Sequence, residues 1–410
     1  MPTITVVGAG FSGLATAYFL TKNGLEVRLV EKTDRAGGLI KTIRTKHGMV
    51  ETAANGLFSS ARLEAMCAEI NVPLIAARRE ARRRFIYRGK PKQLPLTAGE
   101  LFVAAGRFTA SAAKLRPRPF ETVFGWGRRV LGRGGTDYLL LPALSGIYAG
   151  DPNRLSASLI FGKAKQPDHL HTNPPVKGRL RGTVSTSDGM QQLIDGLCDY
   201  LKRTGVEFLF NHADKTNADG PMVVCLPAGA AAQYLSEIAP QVSAALRKIE
   251  MLSLTTATCF YGPDAAKLNG FGCLFPPDQG FRARGVLFND SIFAGRGPAH
   301  SETWIFGGAL DPDVVNLSDT ALAEVIAAER ERFYRARDES LYMRITRWPN
   351  ALPHYSIELE KVLTTLPAPP KNVALVGNYL GRIGLAKILE RAAVVAEEVR
   401  RACQSGRASR

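Results

Sequence analysis

The chain has 410 residues, 45% of them hydrophobic, and a formal net charge of +16. That length is too great for one simple core and implies two or three interleaved or serial domains, while the ordinary apolar content supports a packed interior. No run of about 18 apolar residues occurs, which excludes a membrane-spanning helix, and the opening MPTITVVGAG lacks the basic and apolar regions of a signal peptide.

Residues 3–7 (TITVV) form a β-branched run that predicts a buried strand. Gly8, Gly10 and Gly13 follow with the spacing G-x-G-x-x-G. The next stretch, SGLATAYFLTKN, predicts a helix that stops at Gly24, and residues 26–30 (EVRLV) predict a second strand ending on Glu31. Strand, glycine turn, helix, strand and acid together describe a dinucleotide-binding unit. Gly8 permits the tight turn, Gly10 lets a pyrophosphate approach the backbone, and Gly13 lets helix and strand pack closely. Glu31 can accept a hydrogen bond from a ribose hydroxyl. The residues after the acid (KTDRAGG) place Arg35, Gly37 and Gly38 where a plain NAD domain needs no second glycine pair. An extended FAD does need one.

From Ala77 to Gly135 there are fifteen Lys or Arg against three Glu, so three quarters of the charge excess sits in one segment. That concentration implies an anionic partner: a carboxylate-bearing substrate, a membrane face or nucleic acid. The same region interleaves Phe102, Phe108, Phe120, Phe124, Trp126 and Leu131 with the basic residues, a pattern that suits a membrane surface or stacked single-stranded nucleic acid. His169 and His171 have no companion ligands, so no metal site is expected. The six cysteines lie far apart with no C-x-x-C spacing, and they read as reduced thiols of a cytoplasmic protein. Residues 320–337 predict a core-facing helix. At the far end, residues 372–376 (NVALV) predict a strand, a glycine-bearing turn follows (GNYLGRIG), and Leu385, Ile388, Leu389, Ala392, Ala393, Ala396 and Val399 trace one face of a helix. Such a helix can aim its N-terminus at the reduced flavin.

Along nearly its whole length the chain resembles the FAD-dependent amine oxidase superfamily and, within it, the protoporphyrinogen oxidase family. The resemblance is carried by VVGAGFSGLATAYFL, EKTDRAGGLIKT, RFIYRGKPKQLP (84–95), LSGIYAGDPNRLS (144–156), SDGMQQLIDGLCDYL (187–201), GFGCLFP (270–276), GVLFNDSIFAGR (285–296), RWPNALPHY (347–355) and GNYLGRIGLAKIL (377–389). It implies an α/β architecture: a discontinuous FAD-binding Rossmann-like domain (1–76, 183–230 and 366–410), a mixed α/β substrate domain (77–89 and 231–365), and a helical, basic, membrane-associating insertion (90–182). The cofactor-binding residues it implies are Gly8, Ala9, Gly10, Phe11, Ser12, Gly13, Glu31, Lys32, Arg35, Gly37, Gly38, Leu39, Ala53, Ala54, Asn55, Gly56, Gly377, Asn378, Ile383, Gly384 and Leu385. Arg84 falls where the family places an arginine near the substrate propionates; its alternative is membership of a solvated basic run.

The activity implied is oxidation of a porphyrinogen to a porphyrin in haem synthesis, with FAD as hydride acceptor and molecular oxygen as final oxidant. No catalytic acid–base pair is implied. Protoporphyrinogen IX is the expected substrate and coproporphyrinogen III the alternative. An amine oxidase or desaturase on the same fold, and a non-catalytic porphyrin- or membrane-binding relative, remain as other readings. Among the partners a peripheral contact with the inner membrane face is expected rather than nucleic acid, because the family's apolar substrate and product are handed on near membranes; a homodimer is left open. Three features depart from the family pattern. Ala53-Ala54-Asn55-Gly56 stands where a Gly-Pro pair is usual, Arg382 replaces a glycine, and the segment 206–227 is short. Altered FAD binding is therefore a further alternative.

Overall fold

The computed structural model of the protein describes residues 2–109, 115–162, 179–213, 220–381 and 383–408. His169, His171 and Arg382 lie outside the described residues, as does 214–219 within the short 206–227 segment.

Five short strands make a parallel sheet in the order Glu207–Leu209, Val27–Val30, Ile4–Val7, Met222–Val224, Val373–Leu375. Every residue of Ile4–Val7 is buried, as a central parallel strand requires. Alternate side chains serve two cores. Ile4, Val6 and Val223 pack with the helices Phe11–Lys22, Gln191–Arg203 and Leu385–Ala408, whereas Met222 and Val224 pack with Ala228–Tyr234, Pro240–Leu246 and Ile357–Thr364. Packing therefore does not break at residue 231, because 228–249 and 355–366 cover one face of this sheet.

A seven-stranded sheet lies beside it in the order Tyr342–Pro353, Met251–Tyr261, His300–Gly307, Gly285–Phe288, Gly272–Leu274, Arg84–Tyr87, Pro91–Lys92. All its pairings are antiparallel except Gly272–Leu274 with Arg84–Tyr87. The strand Pro91–Lys92 falls inside the stretch expected to be the insertion, so the sheet reaches past residue 90. One face of this sheet carries Ala257, Cys259, Tyr261, Trp304 and Phe306 against the helix Asp319–Tyr334, which ends where Arg335 turns left-handed at φ 57°. Glu329 on that helix is buried because its carboxylate accepts the backbone N–H groups of Arg282 (2.5 Å) and Ala283 (3.2 Å). After the edge strand Pro91–Lys92 the chain forms the helices Ala98–Thr109, Val123–Val130 and Gly132–Gly135, then a stretch of wider π-type turns, Thr136–Leu140, that continues into Leu141–Tyr148.

Candidate active site

The glycine turn divides its labour as the spacing suggests. Gly8 sits at φ +98°, and a Cβ there would lie 2.8 Å from the Cys225 carbonyl oxygen. A Cβ on Gly13 would lie 3.0 Å from the Gly8 carbonyl carbon and closer still to its oxygen. Gly10 is different. Its φ of −67° suits any residue, and a Cβ would meet nothing nearer than the Gly38 Cα at 4.0 Å. Gly10 caps the Phe11–Lys22 helix with no side chain to occupy the first N–H groups. An open backbone cradle at an uncapped helix N-terminus fits a pyrophosphate. The second glycine pair lies against the first: Gly37 N–H donates to the Ala9 carbonyl (2.8 Å), and Gly38 (φ +58°) would bring a Cβ within 3.2 Å of Gly10.

Two of the charged candidates do more for the chain than expected. The Glu31 carboxylate accepts Ala9 N–H (2.8 Å), Thr33 N–H (3.0 Å) and the Thr33 hydroxyl (2.9 Å), so it staples the turn and keeps only its remaining lone pairs for a ribose. The Arg35 guanidinium donates to the Ala36 (3.0 Å), Ile40 (3.3 Å) and Gly38 (2.6 Å) carbonyls. It builds the second glycine turn rather than reaching outward. Ala9 and Phe11 are buried, Ser12 is half-buried, and Lys32 and Leu39 are exposed.

The 51–56 loop is held from three sides. Glu51 accepts Met190 N–H and the Thr42 hydroxyl, each at 2.9 Å, and faces Arg296 at 3.6 Å; burial pushes its carboxyl up despite these partners. Trp348 Nε1 donates to the Thr52 carbonyl at 2.7 Å, and Asn55 donates to Asn289 Oδ1 at 3.2 Å. Gly56 admits no side chain, since a Cβ would lie 2.5 Å from the Val184 carbonyl oxygen. Ala53 stays exposed and Ala54 half-buried, so small groups line the loop where a Gly-Pro pair was expected.

At the closing turn, the Asn378 carbonyl accepts the Tyr355 hydroxyl and its amide donates to Ala351 at 3.4 Å. A Cβ on Gly377 would press on the Tyr379 ring, and Gly384 (φ +100°) opens the Leu385–Ala408 helix, with half-buried Ile383 and Leu385 on either side. This turn connects to the 144–156 motif. The Tyr148 and Tyr355 rings meet edge-on at 5.0 Å, and Ser156 N–H donates to the Tyr355 carbonyl at 2.8 Å. Fully buried His354 accepts Asp151 N–H at Nε2 (3.2 Å), so its proton sits on Nδ1 toward Glu250 (3.1 Å).

The seven-stranded sheet turns its second face toward this region. Register places Thr256 beside Ile305, Ile305 beside Gly285, Gly285 beside Leu274, and Leu274 beside Ile86 on one side. Ile86, Leu274, Leu287 and Ile305 are only half-buried although they sit on interior strands. Interior strands that leave apolar side chains half-buried offer a floor on which an apolar ligand can rest. The Leu141–Tyr148 helix comes down on its margin, where a Cβ on Gly146 would lie 2.6 Å from Leu274. Arg84 stands on the same face, exposed, with its guanidinium 4.6 Å over the Phe271 ring. The sequence reading missed this floor. MLSLTTATCFY and GVLF are apolar or small on both faces, so no period distinguishes an open side from a packed one.

The model of the flavin containing amine oxidoreductase family matches residues 11–384. The chain belongs to that family. It is an FAD-dependent oxidoreductase. Among similar family members, the chloroplastic protoporphyrinogen oxidase of Nicotiana tabacum is 25% identical over 96% of this chain and 84% of its own length. The coproporphyrinogen III oxidase of Bacillus subtilis (strain 168) is 21% identical over 86% of this chain and 87% of its own. In fold the chain is similar to a crystal structure of a candidate protoporphyrinogen oxidase from Exiguobacterium sp. 255-15, with a TM-score of 0.74 at 19% identity, over 97% of this chain and 98% of that one. The architecture is thus the α/β FAD-binding fold of the amine oxidase family.

Proposed function

We propose that this flavoenzyme oxidises a porphyrinogen to a porphyrin, with protoporphyrinogen IX as substrate and molecular oxygen as final acceptor. The observation that carries the reading is the half-buried apolar floor of the seven-stranded sheet with Arg84 standing on it, without an ion pair among the described residues. A porphyrinogen is a large apolar ring with carboxylate arms, so the floor would take the ring and Arg84 would fork a propionate. Stacking on Phe271 restrains the guanidinium and leaves its N–H edge available.

The backbone of Gly8–Gly13 and Gly37–Gly38 would hold the FAD pyrophosphate, Glu31 its ribose, and the 53–56 and 377–385 loops the flavin end. Bound there, FAD supplies a two-electron hydride acceptor. Small Ala53 and Ala54 permit close approach of the ring, the Tyr355–Asn378 link fixes the closing turn, and the Leu141–Tyr148 helix shields the cleft margin from water. The similarity to coproporphyrinogen III oxidases favours a second substrate, which also carries carboxylates.

Among the described residues no helix is long and apolar enough to cross a membrane. The Ala98–Thr109 helix nonetheless exposes Leu101, Val103, Phe108 and, at 81%, Phe102, beside Arg107. This face would rest on the cytoplasmic leaflet.

The test is anaerobic mixing of the purified flavoprotein with each porphyrinogen. Bleaching of the flavin, followed in air by porphyrin fluorescence, supports the reading, and the faster substrate names the specificity. A flavin that neither substrate bleaches, but an amine does, refutes it.

A further inference from the structure

We propose that Lys92 is a second carboxylate anchor, forming with Arg84 a two-point clamp for neighbouring carboxylate arms along one edge of the substrate. The inference rests on the porphyrinogen reading and specifies which edge of the ring is held, and by what.

Lys92 lies on the edge strand Pro91–Lys92, directly opposite Ile86. Opposed residues of an antiparallel pair point to the same side. Ile86 belongs to the open floor, and Arg84, two residues earlier on the same strand, shares its side. Lys92 therefore rises from the same face as Arg84, one strand across and two residues along. Strand spacing and rise put their Cα atoms about 8 Å apart, a separation that two long cationic side chains can close onto adjacent arms of one ring.

Charge accounting on this hairpin supports the assignment. Of its two other cations, Lys90 is exposed in the turn between the strands, and Arg88 is neutralised by Glu100 at 2.7 and 3.0 Å and lies 3.7 Å over the Tyr138 ring. Among the described residues neither Arg84 nor Lys92 has a carboxylate within 4.0 Å. Lys92 is half-buried, unlike its exposed neighbours Gln93 and Leu94, as a lysine is when its stem lies along the protein and its ammonium reaches solvent or a ligand. Two unpaired cations at one margin of an apolar floor match a disc with two anionic arms on one edge. The same pair repels a cationic amine, which disfavours that substrate class at this cleft.

The experiment compares wild type, Lys92→Ala and Lys92→Arg in two assays, each with diacid and dimethyl ester. The first is steady-state oxidation of protoporphyrinogen IX. The second is equilibrium titration with protoporphyrin IX, which needs no turnover. Lys92→Ala is expected to raise KM and Kd for the diacid about three- to tenfold, with kcat and flavin content unchanged. Lys92→Arg is expected to restore both, and all three proteins are expected to treat the dimethyl ester alike. Unchanged diacid values in Lys92→Ala, or an equal loss on the ester, would overturn the clamp while leaving the porphyrinogen reading in place. A wild-type flavoprotein that neither binds the porphyrin nor oxidises the porphyrinogen overturns both.

Discussion

Two glycines of one motif are expected to fail in opposite ways. At Gly10 the backbone (φ −67°, ψ 176°) is ordinary extended geometry, and a Cβ would find only the Gly38 Cα at 4.0 Å. Gly10→Val therefore meets no protein atom that must move for its Cβ. Its stability penalty is that of a poorer helix cap, about 1 kcal/mol, and a Tm loss of no more than roughly 2–4 °C. Yet the methyl groups would fill the space left for the pyrophosphate. At Gly13 the situation is reversed. A Cβ would lie 3.0 Å from the Gly8 carbonyl carbon and nearer to its oxygen, backbone atoms that cannot swing aside. Gly13→Ala forces the Phe11–Lys22 helix off the Ile4–Val7 strand, an overpacking penalty of about 1–3 kcal/mol or more before any cofactor is considered. The assay is thermal unfolding of flavin-free protein alongside the flavin retained on purification. Gly10→Val should unfold like wild type and retain no FAD, whereas Gly13→Ala should lose stability in both forms. Full flavin occupancy in Gly10→Val, or equal apoprotein Tm losses in the two variants, would refute this division.

Arg84→Ala should raise KM for the porphyrinogen about ten- to a hundredfold with flavin content unchanged, and Arg84→Lys should recover only part, since an ammonium cannot fork; Arg79→Ala is the control, and equal KM values would place the carboxylates elsewhere. His300 is buried, which alone would lower its pKa, but hydrogen bonds to Asp290 (3.0 Å) and Glu302 (3.1 Å) outweigh burial and raise it to about 9. Its contribution to stability is therefore complete below the unfolded value of about 6.5 and is lost as pH rises through 9. Urea unfolding at pH 6 and pH 9.5 should show a decline that His300→Gln flattens, and an unchanged decline in that variant counts against the assignment. Phe102→Ser should leave the unfolding free energy within about 0.5 kcal/mol of wild type, because the ring is 81% exposed. The same variant should co-sediment less with anionic vesicles, and undiminished binding would remove this helix from the membrane contact.

The cofactor half of the molecule was largely legible in the sequence because its signals are local. A β-branched run, fixed glycine spacings and a helix with a plain apolar face each report on themselves. Legibility failed where the determinant is which group a side chain meets once the chain has folded. Glu31 and Arg35 look like ligand contacts in sequence, but Ala9 and the Gly38 carbonyl take part of their bonding capacity. Lys92 looks like one more charge of a basic run until the strand register sets it beside Ile86. The buried ion cluster of Glu302 with His300 and Arg330 was likewise silent, because 28 residues separate Glu302 from Arg330. The Ala228–Tyr234 and Ile357–Thr364 helices likewise reveal which sheet they cover only through Val224 and Leu375.

The order of strands in the parallel sheet bears on how the protein is made. Ile4–Val7 occupies the centre, but its neighbour Met222–Val224 and the outer strand Val373–Leu375 leave the ribosome far later, and the helix that packs on Phe11–Lys22 begins only at Leu385. The nascent chain therefore carries its glycine turn for about two hundred residues before Cys225 arrives to pack against Gly8 and Gly13. A chain cut after about residue 370, which lacks both Val373–Leu375 and the Leu385–Ala408 helix, should emerge colourless even though every residue of the opening glycine motif is present.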